Sequence, residues 1–137
     1  MDQQDVKANI QQLTDEAGQL AKNNGVELDF TNESITTIEA VLLEMFEEAQ
    51  GLELSEQDYE HMADVWGSYL GETLIRNLGK GYWDWDSERK AYVVRLDDLS
   101  VFFPTEVYQV LKSGLVENVI DLYIDVYNHH SPVPIRL

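Results

Sequence analysis

The chain has 137 residues, 44% of them apolar, no cysteine, and a formal net charge of −17. One domain is the natural reading of that length, with enough apolar content for a core without disulfide or cysteine-zinc staples. So acidic a surface argues against binding nucleic-acid phosphates or an anionic membrane, both of which require cationic groups.

The charge is uneven. Residues 1–60 hold 15 acids against Lys7 and Lys22, a net −13, whereas residues 61–137 hold 11 acids against seven bases. The N-terminal segment Met1 to Lys7 has no apolar h-region, and no apolar run approaches the ~20 residues of a membrane span. A cytoplasmic protein is therefore expected.

The first helix is expected over Asp5–Asn23, with Val6, Ile10, Leu13, Ala17 and Leu20 as its apolar seam and Asn23-Asn24-Gly25 as its stop. The seam predicts docking on the core, with a partner helix or a homodimer as the alternative use. After the extended connector Val26–Phe30, Thr31 is placed to cap a second helix, with Glu33 in its first turn facing the positive end of the dipole and Ile35, Ile38, Val41, Leu42, Met45 and Phe46 as its inward face. Gly51 ends it. Ser55 and Asp58 form a capping-box pattern for a third helix, whose one apolar side is Met62, Trp66, Tyr69, Leu70, Thr73 and Leu74, with Gly79 at its C-terminal stop.

The period then falls from 3.6 to two. Tyr82–Asp86, Lys90–Leu96 and Leu99–Phe103 read as an antiparallel meander turning at Ser87-Glu88 and Asp97-Asp98. One face collects Trp83, Trp85, Tyr92, Val94, Leu96, Leu99, Val101 and Phe103, and the other is mixed. Pro104 opens a fourth helix that Gly114 closes, and a fifth is expected over Leu115–Asn128. The prolines make His129–Leu137 non-helical, either lying along the domain or mobile, and residues 1–4 are a candidate flexible end. The expected class is α+β: three N-terminal helices, a three-stranded meander and two closing helices in a single domain over residues 1–137.

Few residues invite chemistry. Glu72 sits at the border of the third helix, one turn before Arg76, and reads either as half of an i,i+4 ion pair or as a partly buried functional acid. Asp84 and Asp86 share one side of a strand, about 7 Å apart, as a carboxylate dyad or simply as the wet face of a tryptophan-rich strand. Glu72, Arg76, Asp84 and Asp86 would together line a cleft between the third helix and the sheet, the setting for a small-molecule binder or hydrolase. His61, His129 and His130 match no zinc spacing, and Thr36-Thr37, Ser68 and Ser100 lack a nucleophile elbow, so no cofactor or metal is expected. Gly67 and Gly71 are read as places where another backbone approaches the helix, with the second helix or the sheet as the neighbour. The densest run of acids, Glu44, Glu47, Glu48, Glu53, Glu56, Asp58 and Glu60, surrounds the turn between the second and third helices with no base among them. It is the expected surface for a basic protein partner.

Tyr69-Leu-Gly-Glu72, the Gly79-Lys-Gly81-Tyr-Trp83 turn and Phe103-Pro-x-x-Val107 together resemble a family of small bacterial proteins of unknown function. Those proteins place a Tyr-Leu-Gly-Glu helix before a Gly-Gly-x-Trp turn, then a short meander and a Phe-Pro helix start. The resemblance spans roughly residues 28–127, and Gly79-Lys-Gly81 departs from the paired glycines. In size and style such proteins are similar to immunity proteins of bacterial toxin systems, which implies a non-enzymatic, immunity-like or regulatory binding protein and carries no catalytic residue onto this chain.

Overall fold

The computed structural model describes residues 1–137, in the order α1 (Gln3–Asn23), α2 (Ser34–Ala49), α3 (Glu56–Leu78), β1 (Tyr82–Asp86), β2 (Ala91–Leu96), β3 (Leu99–Val101), α4 (Phe103–Ser113) and α5 (Glu117–His130). The α+β order read from the sequence holds throughout.

Local chemistry sets most of the boundaries. Asp2 caps α1 by accepting from the Asp5 amide at 2.8 Å, so the helix starts two residues before its expected beginning. Ser55 and Asp58 exchange both bonds of a capping box. Gly79 and Gly114 close α3 and α4 at φ +70° and +79°, the left-handed region that costs other residues most. Thr31 caps a preliminary turn, its Oγ1 accepting from the Ser34 amide at 3.3 Å, and α2 proper begins at Ser34.

Long-range packing corrects the expected faces. The buried stripe of α1 is Val6, Ile10, Thr14, Ala17 and Ala21. Leu20 points away and is 38% exposed, because a straight helix drifts off a 3.5-residue seam. On α2, Val41, Met45 and Phe46 are only half-buried. The largest correction concerns α3, expected to bury one side. Val65, Trp66, Gly67, Ser68, Tyr69, Leu70 and Gly71 are consecutive and all buried, because α3 is the central helix, in contact with α1, α4 and α5. His129 and His130 belong to α5, which runs two residues beyond its expected end. The tail beyond lies along the domain, where Asn128 bonds the Ile135 amide at 2.7 Å and its carbonyl at 3.2 Å.

The sheet is an antiparallel meander in the order β1-β2-β3, with Trp83 opposite Val94, Trp85 opposite Tyr92 and Val94 opposite Val101. Trp83, Tyr92, Val94, Leu96 and Val101 are buried on the expected apolar face, with Leu99 exposed at its rim. The β1–β2 loop spans the four residues between Asp86 and Ala91, longer than Ser87-Glu88, and the β2–β3 turn is Asp97-Asp98.

Gly67 and Gly71 explain how α3 is enclosed. A Cβ on Gly67 would stand 2.5 Å from the Pro104 backbone, and one on Gly71 would stand 2.4 Å from the Trp83 ring. The sheet was an expected neighbour. The other is the start of α4, not α2. On the opposite side of α3 from these glycines, Tyr69 is wholly buried, and its hydroxyl accepts from the Phe30 amide at 3.0 Å while bonding Ser34 Oγ at 2.8 Å. That knot holds Phe30 at a left-handed φ of +58° and fastens the α1–α2 connector to α3.

Candidate functional site

Glu72 lies in the wall of a cleft of about 530 Å³ between α1, α3 and the start of β1. Gln3, Lys7, Gln11 and Thr14 of α1 supply its polar lining. Both Glu72 oxygens are engaged. Oε1 accepts from the Trp83 indole at 3.2 Å and Oε2 from Arg76 Nε at 2.9 Å. Arg76 in turn covers the Phe30 ring, 3.8 Å from its centroid. The acid therefore bridges the β1 tryptophan to the α1–α2 connector through an arginine.

Asp84 and Asp86 do not join this cleft. Strand alternation puts them on the face opposite Trp83, where Arg95 closes them. Its Nε lies 3.1 Å from Asp84 Oδ2, Nη2 lies 3.8 Å from Asp86 Oδ2, and Nη1 donates to Ser100 Oγ at 2.8 Å. Asp84 also accepts from Gln3 Nε2 at 3.2 Å, which ties α1 to the sheet edge. Asp86 Oδ1 accepts from the Glu88 and Arg89 amides at 3.1 and 2.8 Å, ordering the β1–β2 loop. The four candidate residues thus form two separate ionic clusters.

Asp64 is the acid that sequence reasoning missed. It sits on α3 between the buried residues Ala63 and Val65, outside the one apolar side expected for that helix. Burial raises its carboxyl from 3.8 to about 6, with Glu60 adding to the rise and His61 opposing it. A folded-state value above the unfolded one means that Asp64 favours folding when protonated and loses that contribution as pH rises from about 4 through about 6. Asp64→Asn is expected to stabilise the protein at pH 7 by about 1–2 kcal/mol, allowing for partial solvent contact. The gain should vanish below about pH 4. Paired urea titrations at pH 4 and 7 check this, and an equal effect at both would disprove it.

The acidic run divides in two. At the start of α3, Asp58 is used in the capping box. Glu56 binds Lys112 Nζ at 2.6 Å and also accepts from the Tyr108 hydroxyl. The Lys112 bond, then the Tyr108 bond, hold the Glu56 carboxyl below the usual range. Glu44, Glu47, Glu48, Glu53 and Glu60 make no ion pair. Comparison with family models, curated proteins and solved structures finds no match. The helices themselves supply a contrast. Asp5 and Lys22, Glu56 and Arg76, Glu106 and Lys112, and Glu117 with His129 and His130 put acids in the first turn and bases in the last turn of α1, α3, α4 and α5. That arrangement complements the helix dipole. α2 departs from it at its C-terminal end: Glu33 stands at its N-cap, but its last turn has no base and places Glu47 and Glu48 at the negative end.

Proposed function

We propose that the protein is a non-enzymatic binding module that captures a basic protein partner on the acidic C-terminal half of α2 and the loop after it. An immunity-like or regulatory role fits this reading. The observation that carries it is the C-terminal end of α2, where Glu47 and Glu48 have no base beside them and no ion pair. Four helices obey the dipole rule at both ends, and α2 stacks unpaired carboxylates at its C-terminal end, where they cost stability. An arriving cation would relieve that cost. The other candidate acids, Glu72, Asp84 and Asp86, are tied by Arg76 and Arg95. No group of three or more histidines, cysteines and acids is placed to hold a metal ion, and no helix is long and apolar enough to cross a membrane.

A second reading is a small polar ligand in the Glu72 cleft, favoured by the cleft's volume and its lining of glutamines, Lys7 and Thr14. One experiment separates the two. Isotope-labelled protein is titrated with a lysine/alanine helical peptide at low and high salt. A protein of charge −17 attracts any polycation, so location decides. Shifts concentrated on Glu44–Glu53 and lost at high salt support the α2 reading. Shifts centred on Lys7, Glu72 and Trp83 would favour the cleft, and shifts spread over every acidic surface would remove the proposal.

A further inference from the structure

Between the C-terminal end of α1 and the middle of α2 runs an apolar groove of about 300 Å³. Leu20, Val41, Met45 and Trp66 wall it, and Glu44 and Glu48 stand on its rim. Val41, Glu44, Met45 and Glu48 recur at i, i+3, i+4 and i+7, so floor and rim belong to one stripe of α2. Leu20 is the α1 residue that the core left 38% exposed. Trp66 is buried, and its indole N–H has no acceptor within the chain. At this size the groove lies at the small end of ligand sites, room for one or two large side chains.

Resting on the proposed function, we infer that this groove is an anchor site for a basic amphipathic helix of the partner. One apolar side chain enters between Leu20 and Met45, while lysines or arginines one turn apart on the same helix meet Glu44 and Glu48. Charge complementarity chooses this occupant. The rim carboxylates have no cation of their own, and they stand about 6 Å apart along the axis, the rise of four helical residues. A matching pair of cations on a partner helix has the same spacing. A second copy of this chain, also at −17, is repelled.

The test uses the full chain and three 15-residue helical peptides: leucine/lysine, alanine/lysine and leucine/glutamate. The leucine/lysine peptide should bind about tenfold more tightly than alanine/lysine, the worth of one well-buried aliphatic side chain. It should also shift the Trp66 indole resonance. Leu20→Glu adds a carboxylate to the groove's lip while removing apolar surface. It should cost leucine/lysine most of that tenfold advantage and leave alanine/lysine binding equal or tighter, with a circular-dichroism melt verifying the fold. Equal affinities for the two lysine peptides at α2 would overturn the groove and leave the acidic surface standing. Binding of neither would remove both readings. Leucine/glutamate binding as well as leucine/lysine would overturn the basic occupant, and light scattering that shows a dimer broken by Leu20→Glu would assign the groove to a second copy.

Discussion

Replacing Glu47 and Glu48 together by lysine is expected to make the protein more stable and, at the same time, unable to hold a basic partner on α2. Both residues lie in the last turn of a helix that ends at Ala49, where backbone carbonyls present negative partial charge. Removing an acid there and supplying a base is worth about 0.3–1 kcal/mol per site at a surface. The change also turns Glu44–Glu48 from a repulsive i,i+4 pair into a favourable one, adding a few tenths of a kcal/mol. The summed gain of about 1–2 kcal/mol corresponds to roughly 3–6 °C in Tm for a domain this size. Two reversals move the net charge from −17 to −13, so the molecule stays strongly acidic and long-range attraction of cations persists. Capture at α2 should nevertheless weaken at least tenfold at low salt, since contact charges switch from attraction to repulsion. Stability and binding moving in opposite directions mark a surface kept for a partner at a cost to the fold. A melt and a lysine/alanine peptide titration on the same preparation check the pair of effects. A loss of stability would contradict the dipole argument, and unchanged peptide binding would contradict the assignment of the surface.

The features legible in the sequence are those decided within a turn or two of chain. The Ser55–Asp58 box, the glycine stops at Gly79 and Gly114, the Pro104 helix start and the alternation from Trp83 to Val101 depend on neighbours in sequence, and each was found where expected. What was not legible depends on what packs from a distance. Nothing near Val65 or Ser68 announces that α1, α4, α5 and the sheet would enclose the middle of α3, and Asp64 with it. The seam of α1 was drawn through Leu20, and the fold buries Ala21 instead, which is how Leu20 comes to border a groove. For the candidate surface, the acids themselves were plain in the sequence. That Glu56 and Asp58 are occupied, and that α2 departs from the other four helices, emerges only when Lys112 and the helix ends are in place.

Gly67→Ala carries the largest expected loss of stability, and the same substitution at Gly18 provides its opposite. In an exposed helix, glycine to alanine gains up to about 1 kcal/mol by reducing the freedom of the unfolded chain. Gly18 lies in α1, and an added Cβ there meets nothing within 4 Å, so Gly18→Ala should return about 0.5–1 kcal/mol. At Gly67 the added carbon would lie 2.5 Å from both Cα and N of Pro104. Those atoms belong to a ring-locked backbone and cannot rotate aside, so relief requires α4 to shift away from α3. Pro104 heads the helix that also buries Phe103, Val107 and Leu111, and such a shift would loosen all of them. Overpacking of this kind costs about 1–3 kcal/mol or more, and with the helix-propensity gain set against it the net loss should be about 2 kcal/mol, or roughly 6 °C in Tm. Urea titration of the two variants beside the parent measures both signs at once. If Gly67→Ala proved as stable as Gly18→Ala, the close approach of α4 would not be what keeps glycine in the middle of α3.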